Sequence, residues 1–163
     1  MPCHVSIHPK LPVVECVFFD AVSCYEFIAG MEESIKHGTT SDQDPGGKKP
    51  ILVDCFTIKS DCTSTDLFFA LEALSQCQGN ALRKLRQAVI LPAAPAAAAH
   101  FHFWETLCYN RGYPIRSFSE RRPALGWLAQ YFYNSSTSQI LANRSARDEF
   151  FLPREEQRIA YKR

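Results

Sequence analysis

A cluster of hydroxyl side chains is the part of this chain whose residue types and spacing most readily support chemistry. Thr63, Ser64 and Thr65 stand together and are followed at once by Asp66. Hydroxyl oxygens at such a position can accept hydrogen bonds from the unpaired backbone N–H groups that open a helix. Phosphorylation of one hydroxyl would place negative charge where the helix dipole stabilises it. The cluster therefore supports two interpretations, a plain helix cap and a regulatory phosphorylation site.

The cysteines are numerous, but their spacing fits no paired site. The sequence has seven, an odd number, with no C-x-x-C pair. This pattern argues against a disulfide framework or a zinc site and indicates mostly small buried apolar side chains. Cys62 is the exception, because it directly precedes the hydroxyl cluster, where a helix start would lower the pKa of its thiol. A thiol enzyme at Cys62 is a further alternative, although no histidine lies close in sequence to act as its base.

The histidine spacing predicts no metal site. His100 and His102 are two positions apart in a predicted helix and so point in nearly opposite directions. His4 and His8 share a strand face but are about 13 Å apart along extended chain, too far to bind one ion. The sequence also lacks a glycine-rich phosphate loop and a G-x-S-x-G nucleophile elbow. We therefore expect no catalytic residues, no metal and no cofactor.

Strands alternating with helices must position these residues. The run Ile51–Ile58 is apolar or β-branched nearly throughout, as in a strand that is covered on both faces. Periodicity and turn residues predict further strands at 4–8, 13–22, 87–91 and 113–118, and helices at 24–37, 63–76, 95–112 and 119–133. The order β-β-α-β-α-β-α-β-α predicts an α/β fold with a mainly parallel sheet, opened by an N-terminal antiparallel hairpin and covered by packed helices.

Two segments stand outside this alternation. Residues 38–49 are rich in Gly, Pro, Ser and Asp and predict an exposed loop. Residues 1–135 are expected to form one domain, and residues 136–163 a charged C-terminal tail with a candidate short helix that docks through Phe150, Phe151 and Leu152.

Composition narrows the class of protein. The chain has 163 residues, 46 % hydrophobic and 21 % charged, which suffices for one core. A net charge of +1 gives no general attraction to nucleic acid or to an anionic membrane. No stretch approaches the ~18–20 apolar residues of a membrane-spanning helix, and Glu15 and Asp20 interrupt the one candidate signal segment. We expect a cytoplasmic protein.

The element order and two motifs resemble the STAS domain family, the fold of bacterial anti-sigma-factor antagonists and of sulfate-transporter C-terminal domains. The stretch 51–74 looks like the family's signature strand followed by Asp-Ser-[Ser/Thr]-Gly-Leu, which here reads Thr63-Ser64-Thr65-Asp66-Leu67. The stretch 113–128, with the turn 110–112 before it, resembles degenerate bacterial STAS-like proteins. The resemblance covers about residues 3–133.

The resemblance implies a non-enzymatic regulatory or protein-interaction domain, akin to an anti-sigma-factor antagonist. In that family a partner kinase phosphorylates a Ser or Thr at the helix start. The acceptor would be Ser64, with Thr65 second and Thr63 and Asp66 beside them as partner contacts. A kinase-type anti-sigma factor is the implied partner, and a homodimer is a second candidate. Two positions depart from the family pattern, since Thr63 stands at its acidic position and Asp66 at its glycine.

Two other interpretations stay open. Architectures related to this one hold lipids or nucleotides between helices and sheet, so a small-ligand carrier is the alternative function. An apolar cavity under helix 24–37 would favour the carrier, and a closed core would favour the interaction domain. Four arginines surround the last strand and predict a solvated surface, or else a site for a nucleotide or an acidic partner. They are Arg111, Arg116, Arg121 and Arg122.

Overall fold

The computed structural model describes residues 2–39, 48–59 and 62–134, without the side chains of residues 131–134. Its elements follow the predicted order. They are β1 Cys3–Ile7, β2 Val14–Asp20, α1 Cys24–Thr39, β3 Ile51–Ile58, α2 Ser64–Leu82, β4 Gln87–Ile90, α3 Pro95–Asn110, β5 Ile115–Phe118 and α4 Arg121–Asn134. Within these ranges, no helix is both long and apolar enough to cross a membrane.

The strands form one five-stranded sheet in the order β1-β2-β3-β4-β5. β1 pairs with β2 in antiparallel fashion, with Val5 opposite Cys16. The pairs β2–β3, β3–β4 and β4–β5 are all parallel, and Ile51 of β3 stands opposite Val14 of β2 and Gln87 of β4. The predicted α/β architecture, with a parallel sheet opened by one antiparallel hairpin, is confirmed.

The helices divide unequally between the two faces of the sheet. Each parallel strand is added on the same side of the previous one, so the crossover helices α1, α2 and α3 cover one face. Their inward side chains form the larger core, including Phe27, Met31, Leu67, Leu71 and Trp104. Helix α4 covers the other face, where its residues Ala124, Leu125 and Leu128 pack on Leu52 and Ala88.

The space between α1 and the sheet is filled by aromatic side chains. The Phe27 ring lies 5.2 Å from Phe18, 5.7 Å from Phe101 and 5.2 Å from Trp104, measured between ring centroids. Each of these side chains is at most 1 % exposed. These rings pack closely and fill the space that they occupy under α1.

Several element ends differ from the predictions. Helix α2 continues through Gly79 to Leu82, because burial of Leu74 and Leu82 on the same side of the helix outweighs the roughly 1 kcal/mol that a helical glycine costs. Strand β5 begins at Ile115, since Pro114 has no N–H for a ladder. Helix α4 begins at Arg121, two residues after the predicted Ser119 cap. The domain boundary at 135 and the docked tail 136–163 lie outside the described residues.

Candidate functional site at the start of helix α2

Thr63 and Asp66 form a capping box at the start of α2. Thr63 is the N-cap, with extended backbone angles (φ −84°, ψ 170°), and its side-chain oxygen accepts a hydrogen bond from the Asp66 N–H. Asp66 Oδ2 in turn accepts hydrogen bonds from the Thr63 N–H (2.8 Å) and hydroxyl (2.7 Å). The backbone hydrogen bond from Thr63 lowers the pKa of the Asp66 carboxyl. The capping interpretation is therefore realised by these two residues.

Ser64 is the first residue of α2 and does not act as its cap. Its Oγ lies 2.8 Å from Nδ1 of His100 on α3, a hydrogen bond that joins the starts of the two helices. Both side chains are half-buried. Sequence reasoning missed this pair, because the two residues are 36 positions apart and only the packing of α2 beside α3 brings them together. Thr65, the next hydroxyl, is exposed.

The thiols near the cluster occupy structural positions. Cys62 is buried, and its Sγ donates to the carbonyl of Val22 at 3.4 Å. Cys24, at the start of α1, donates from its Sγ to the carbonyl of Asp66 at 3.3 Å. Cys62 was expected to be the exception among the buried cysteines, because it directly precedes the hydroxyl cluster, but its side chain belongs to the core. These contacts hold the starts of α1 and α2 together.

Exposed aromatic side chains lie in the first two turns of α1 and α2 and near the middle of α3. The exposed fractions are 80 % for Tyr25, 39 % for Phe68, 63 % for Phe69 and 37 % for Phe103. Phe103 follows His100 by three positions and so shares the side of α3 that meets Ser64. The rings of Phe68 and Phe69 touch, with centroids 5.7 Å apart. We call these four residues the helix-start surface, since parallel crossovers bring the starts of α1, α2 and α3 to one edge of the sheet.

The four arginines near the last strand do not form one site. Arg111, at the end of α3, pairs with Glu72 of α2. Arg121 opens α4 and pairs with Glu15 and Asp54 on the opposite face of the sheet. The remaining two, Arg116 and Arg122, are exposed. Arg111 and Arg121 therefore lie on opposite faces of the sheet.

One recess among the described residues is an open groove. Its volume is about 800 Å³, and it lies between the end of α2 and the turn after α3. Its lining includes Ser75, Arg83, Arg111 and Tyr113, and the Tyr113 hydroxyl donates to Ser75 Oγ at 2.9 Å. This groove is distant from the space under α1 in which a carrier was expected to hold its ligand.

His8 and His102 have different contacts. His8 Nδ1 accepts hydrogen bonds from the backbone N–H groups of Lys10 and Leu11, each at 3.1 Å. His102 is exposed and lies 3.7 Å from Glu105. Among the residues that the structure describes, no three His, Cys, Asp or Glu side chains are grouped so that they would hold a metal ion.

Comparison with known proteins yields a likeness of fold. No protein-family model matches the chain, and no curated protein matches it. A solved structure from Shewanella loihica PV-4, an uncharacterised protein of the DUF3478 family described as having a SpoIIAA-like fold, is 16 % identical. The likeness covers 77 % of this chain and 91 % of that chain, with a TM-score of 0.47. The SpoIIAA-like fold is the STAS architecture, and a likeness of this size says nothing about function.

Proposed function

We propose that this chain is a non-enzymatic, STAS-like interaction domain that binds a protein partner through the helix-start surface. The observation that carries the proposal is the exposure of four aromatic side chains on the three neighbouring helices α1, α2 and α3: Tyr25, Phe68, Phe69 and Phe103. Single exposed apolar residues are common, whereas a group of aromatic residues on neighbouring helix starts is typical of a contact surface.

The chemistry at the same helix start supports a structural rather than a catalytic role. Thr63 and Asp66 satisfy each other in the capping box, and Cys62 is buried against a carbonyl. The Ser64–His100 pair resembles a nucleophile and base in composition. A catalytic pair would also need a third group that orients the base, and no such group is among the described hydrogen bonds of His100.

Ser64 is the residue through which we propose that the interaction is regulated. Its hydroxyl lies at the start of α2, beside His100 and within the aromatic surface. A phosphate on Ser64 would be stabilised by the helix dipole. It would also place negative charge at an interface that is desolvated when the partner binds, and so would weaken binding. The STAS resemblance suggests a kinase-type anti-sigma factor as the partner, and the odd cysteine count suggests the cytoplasm as the compartment.

The test compares two aromatic residues at opposite ends of the helical layer. A partner recovered with the wild-type chain is identified by mass spectrometry, purified, and titrated calorimetrically against Phe69→Lys, Ser64→Asp and Tyr109→Lys. Tyr109 is 75 % exposed near the end of α3 and is the matched control. We expect Phe69→Lys and Ser64→Asp each to weaken binding by at least about tenfold, and Tyr109→Lys to change it less than about twofold.

Two results would contradict the proposal. Equal affinities for wild type, Phe69→Lys and Ser64→Asp would move the contact surface away from the start of α2. A loss of affinity with Tyr109→Lys alone would place it at the other end of the helices. Sedimentation of the chain by itself tests the homodimer, since a dimer that Phe69→Lys dissociates would make a second copy the partner.

A further inference from the structure

Two thiols lie in contact on the antiparallel hairpin, on the opposite side of α1 from α2. Cys3 is the first residue of β1, and Cys16 lies on β2, where it stands opposite Val5. The two cysteines are therefore diagonal neighbours on one face of the sheet. Their Sγ atoms are 3.4 Å apart. All seven cysteines are free thiols, and this contact is not used by the proposed interaction surface.

Helix α1 holds the two sulfur atoms together. Its backbone passes directly over them at Gly30, where a Cβ atom would stand only 2.8 Å from Cys3 Sγ. The carbonyl of Gly30 also accepts a hydrogen bond from Cys16 Sγ at 3.7 Å, and one from the Ser34 hydroxyl at 2.7 Å. Closely packed side chains and backbone therefore limit the directions in which either sulfur can move.

The two thiols differ in access and in acidity. Cys16 is fully buried, whereas Cys3 is half-buried at the end of an edge strand, where a small reagent can reach it. The hydrogen bond between the thiols lowers the pKa of Cys3, while the same contact, together with burial, raises the pKa of Cys16. Because thiolates are the reactive form, Cys3 is the sulfur expected to react first.

We propose that Cys3 and Cys16 are a reversible oxidation site that forms a disulfide with hydrogen peroxide. The Cys3 thiolate attacks one peroxide oxygen, which gives a sulfenic acid at Cys3 and, after protonation, one water. Cys16 Sγ then attacks the Cys3 sulfur, and its proton leaves with the displaced hydroxide as a second water. The two thiols together lose two electrons, and the peroxide gains them.

Closing the bond requires a short movement. The sulfur atoms must approach from 3.4 Å to a bonded distance of about 2.05 Å. Cys3 can supply this movement because it begins an edge strand, whereas Cys16 is held between β1 and β3. The product would tie the edge strand β1 covalently to the sheet and release the Gly30 carbonyl from Cys16.

The test uses the full chain carrying Cys77→Ser, which removes the exposed thiol that would otherwise react in competition. The reduced protein is treated with equimolar hydrogen peroxide, and thiols are counted under denaturing conditions. Trypsin cleaves after Lys10 and so separates Cys3 from Cys16. Cys24 shares the tryptic peptide 11–36 with Cys16, so fragmentation of the linked peptides identifies which of the two is bonded to Cys3. We expect a loss of two thiols, a peptide pair linked between Cys3 and Cys16, and full recovery of both thiols with dithiothreitol.

Two variants keep the proposal falsifiable if either one fails to fold. In Cys16→Ser, Cys3 should carry one or two added oxygens and form no internal link. In Cys3→Ser, peroxide should leave the buried Cys16 unmodified. The proposal is overturned if the parent protein retains all its thiols at equimolar peroxide, if Cys3 links to a different cysteine, or if Cys16 oxidises equally well without Cys3.

Discussion

At the scale of single residues, the start of α2 depends on two side chains that satisfy each other. Replacing Thr63 with Ala removes the oxygen that accepts the Asp66 N–H, so this donor loses its partner. We expect Thr63→Ala to lower the free energy of unfolding by about 1 kcal/mol, as for other lost N-caps. Thr65→Ala is the matched control, since Thr65 is exposed, and it should stay within about 0.5 kcal/mol of wild type. Urea denaturation measures the free energy of unfolding of both variants. Equal losses in the two variants would contradict the role of Thr63 as the N-cap.

Asp66 makes the stability of this helix start depend on pH. Hydrogen bonds from Thr63 lower the pKa of Asp66 below its ordinary value of 3.8. The folded state therefore binds the proton less tightly than the unfolded state, and the carboxylate contributes stability above pH 3.8 that is lost as pH falls through the folded pKa. We expect the unfolding free energies of wild type and Asp66→Asn to converge between about pH 6 and about pH 3. A difference that is constant over this range would contradict the assignment.

At the scale of elements, α1 packs on the sheet through a glycine. A Cβ at position 30 would lie 2.7 Å from Phe18 Cζ and 2.8 Å from Cys3 Sγ, so the helix would have to move. We expect Gly30→Ala to destabilise the protein by about 1–3 kcal/mol through overpacking. Gly79→Ala is the control in α2, where the nearest atom would be 3.6 Å away. It should be neutral or stabilising by about 0.5–1 kcal/mol, because alanine favours helix. Thermal unfolding measures both variants. If their melting temperatures shift in the same direction relative to wild type, this packing is contradicted.

The first turn of α4 is anchored by an ion pair with a buried carboxylate. Arg121 pairs with Glu15, which is only 9 % exposed, and donates from Nη1 to Asp54 Oδ2 at 3.1 Å. Arg121→Ala would leave the Glu15 carboxylate without this partner, and we expect it to cost about 1–3 kcal/mol of stability. The neighbouring Arg122 is exposed, and Arg122→Ala should change stability by less than about 0.5 kcal/mol. Guanidinium chloride unfolding measures the loss of stability in both variants. If Arg121→Ala loses no more unfolding free energy than Arg122→Ala, the anchoring role is refuted.

At the scale of the whole molecule, α4 covers only part of its face of the sheet. Phe56 is 51 % exposed and lies on the same side of β3 as Leu52, which α4 buries. Phe19 of β2 is 38 % exposed and points away from the core that contains Phe18. By contrast, Trp127 of α4 packs on the Phe118 ring at 5.9 Å. Exposed aromatic surface on this side of the sheet therefore includes Phe19 and Phe56.

We expect the C-terminal segment to contribute to stability by covering apolar surface. Phe150–Leu152 are three consecutive apolar residues, and each stabilises the fold by roughly 1.5–3 kcal/mol when fully buried. Truncation after Ser138 should therefore lower the melting temperature or change the oligomer. If the tail covers the sheet, Phe56→Ser should cost less in the truncated chain than in the full chain. An unchanged melting curve together with an unchanged hydrodynamic size would rule out docking.

The helices, the strands and their order could be predicted from the sequence alone, because hydrophobic periodicity and turn residues act over a few neighbouring positions. Ile51–Ile58 is a strand at the predicted residues, and the Thr63–Asp66 spacing already contains a capping box. The predicted end of this helix at residue 76 was too early, because buried leucines on both sides of Gly79 keep α2 continuous to Leu82. The local sequence also gave no sign that the loop folds the Cys62 side chain into the core.

The contacts between side chains that are distant in sequence are visible only in the folded structure. Ser64 and His100 are 36 positions apart, and Glu15 and Arg121 are 106 apart. Cys3 meets Cys16 because the hairpin register and the close approach of α1 at Gly30 direct both sulfurs to one point. Such contacts depend on strand order and on which face of each element turns inward. These properties arise from burying apolar surface over the whole chain at once, so no local stretch of sequence contains them.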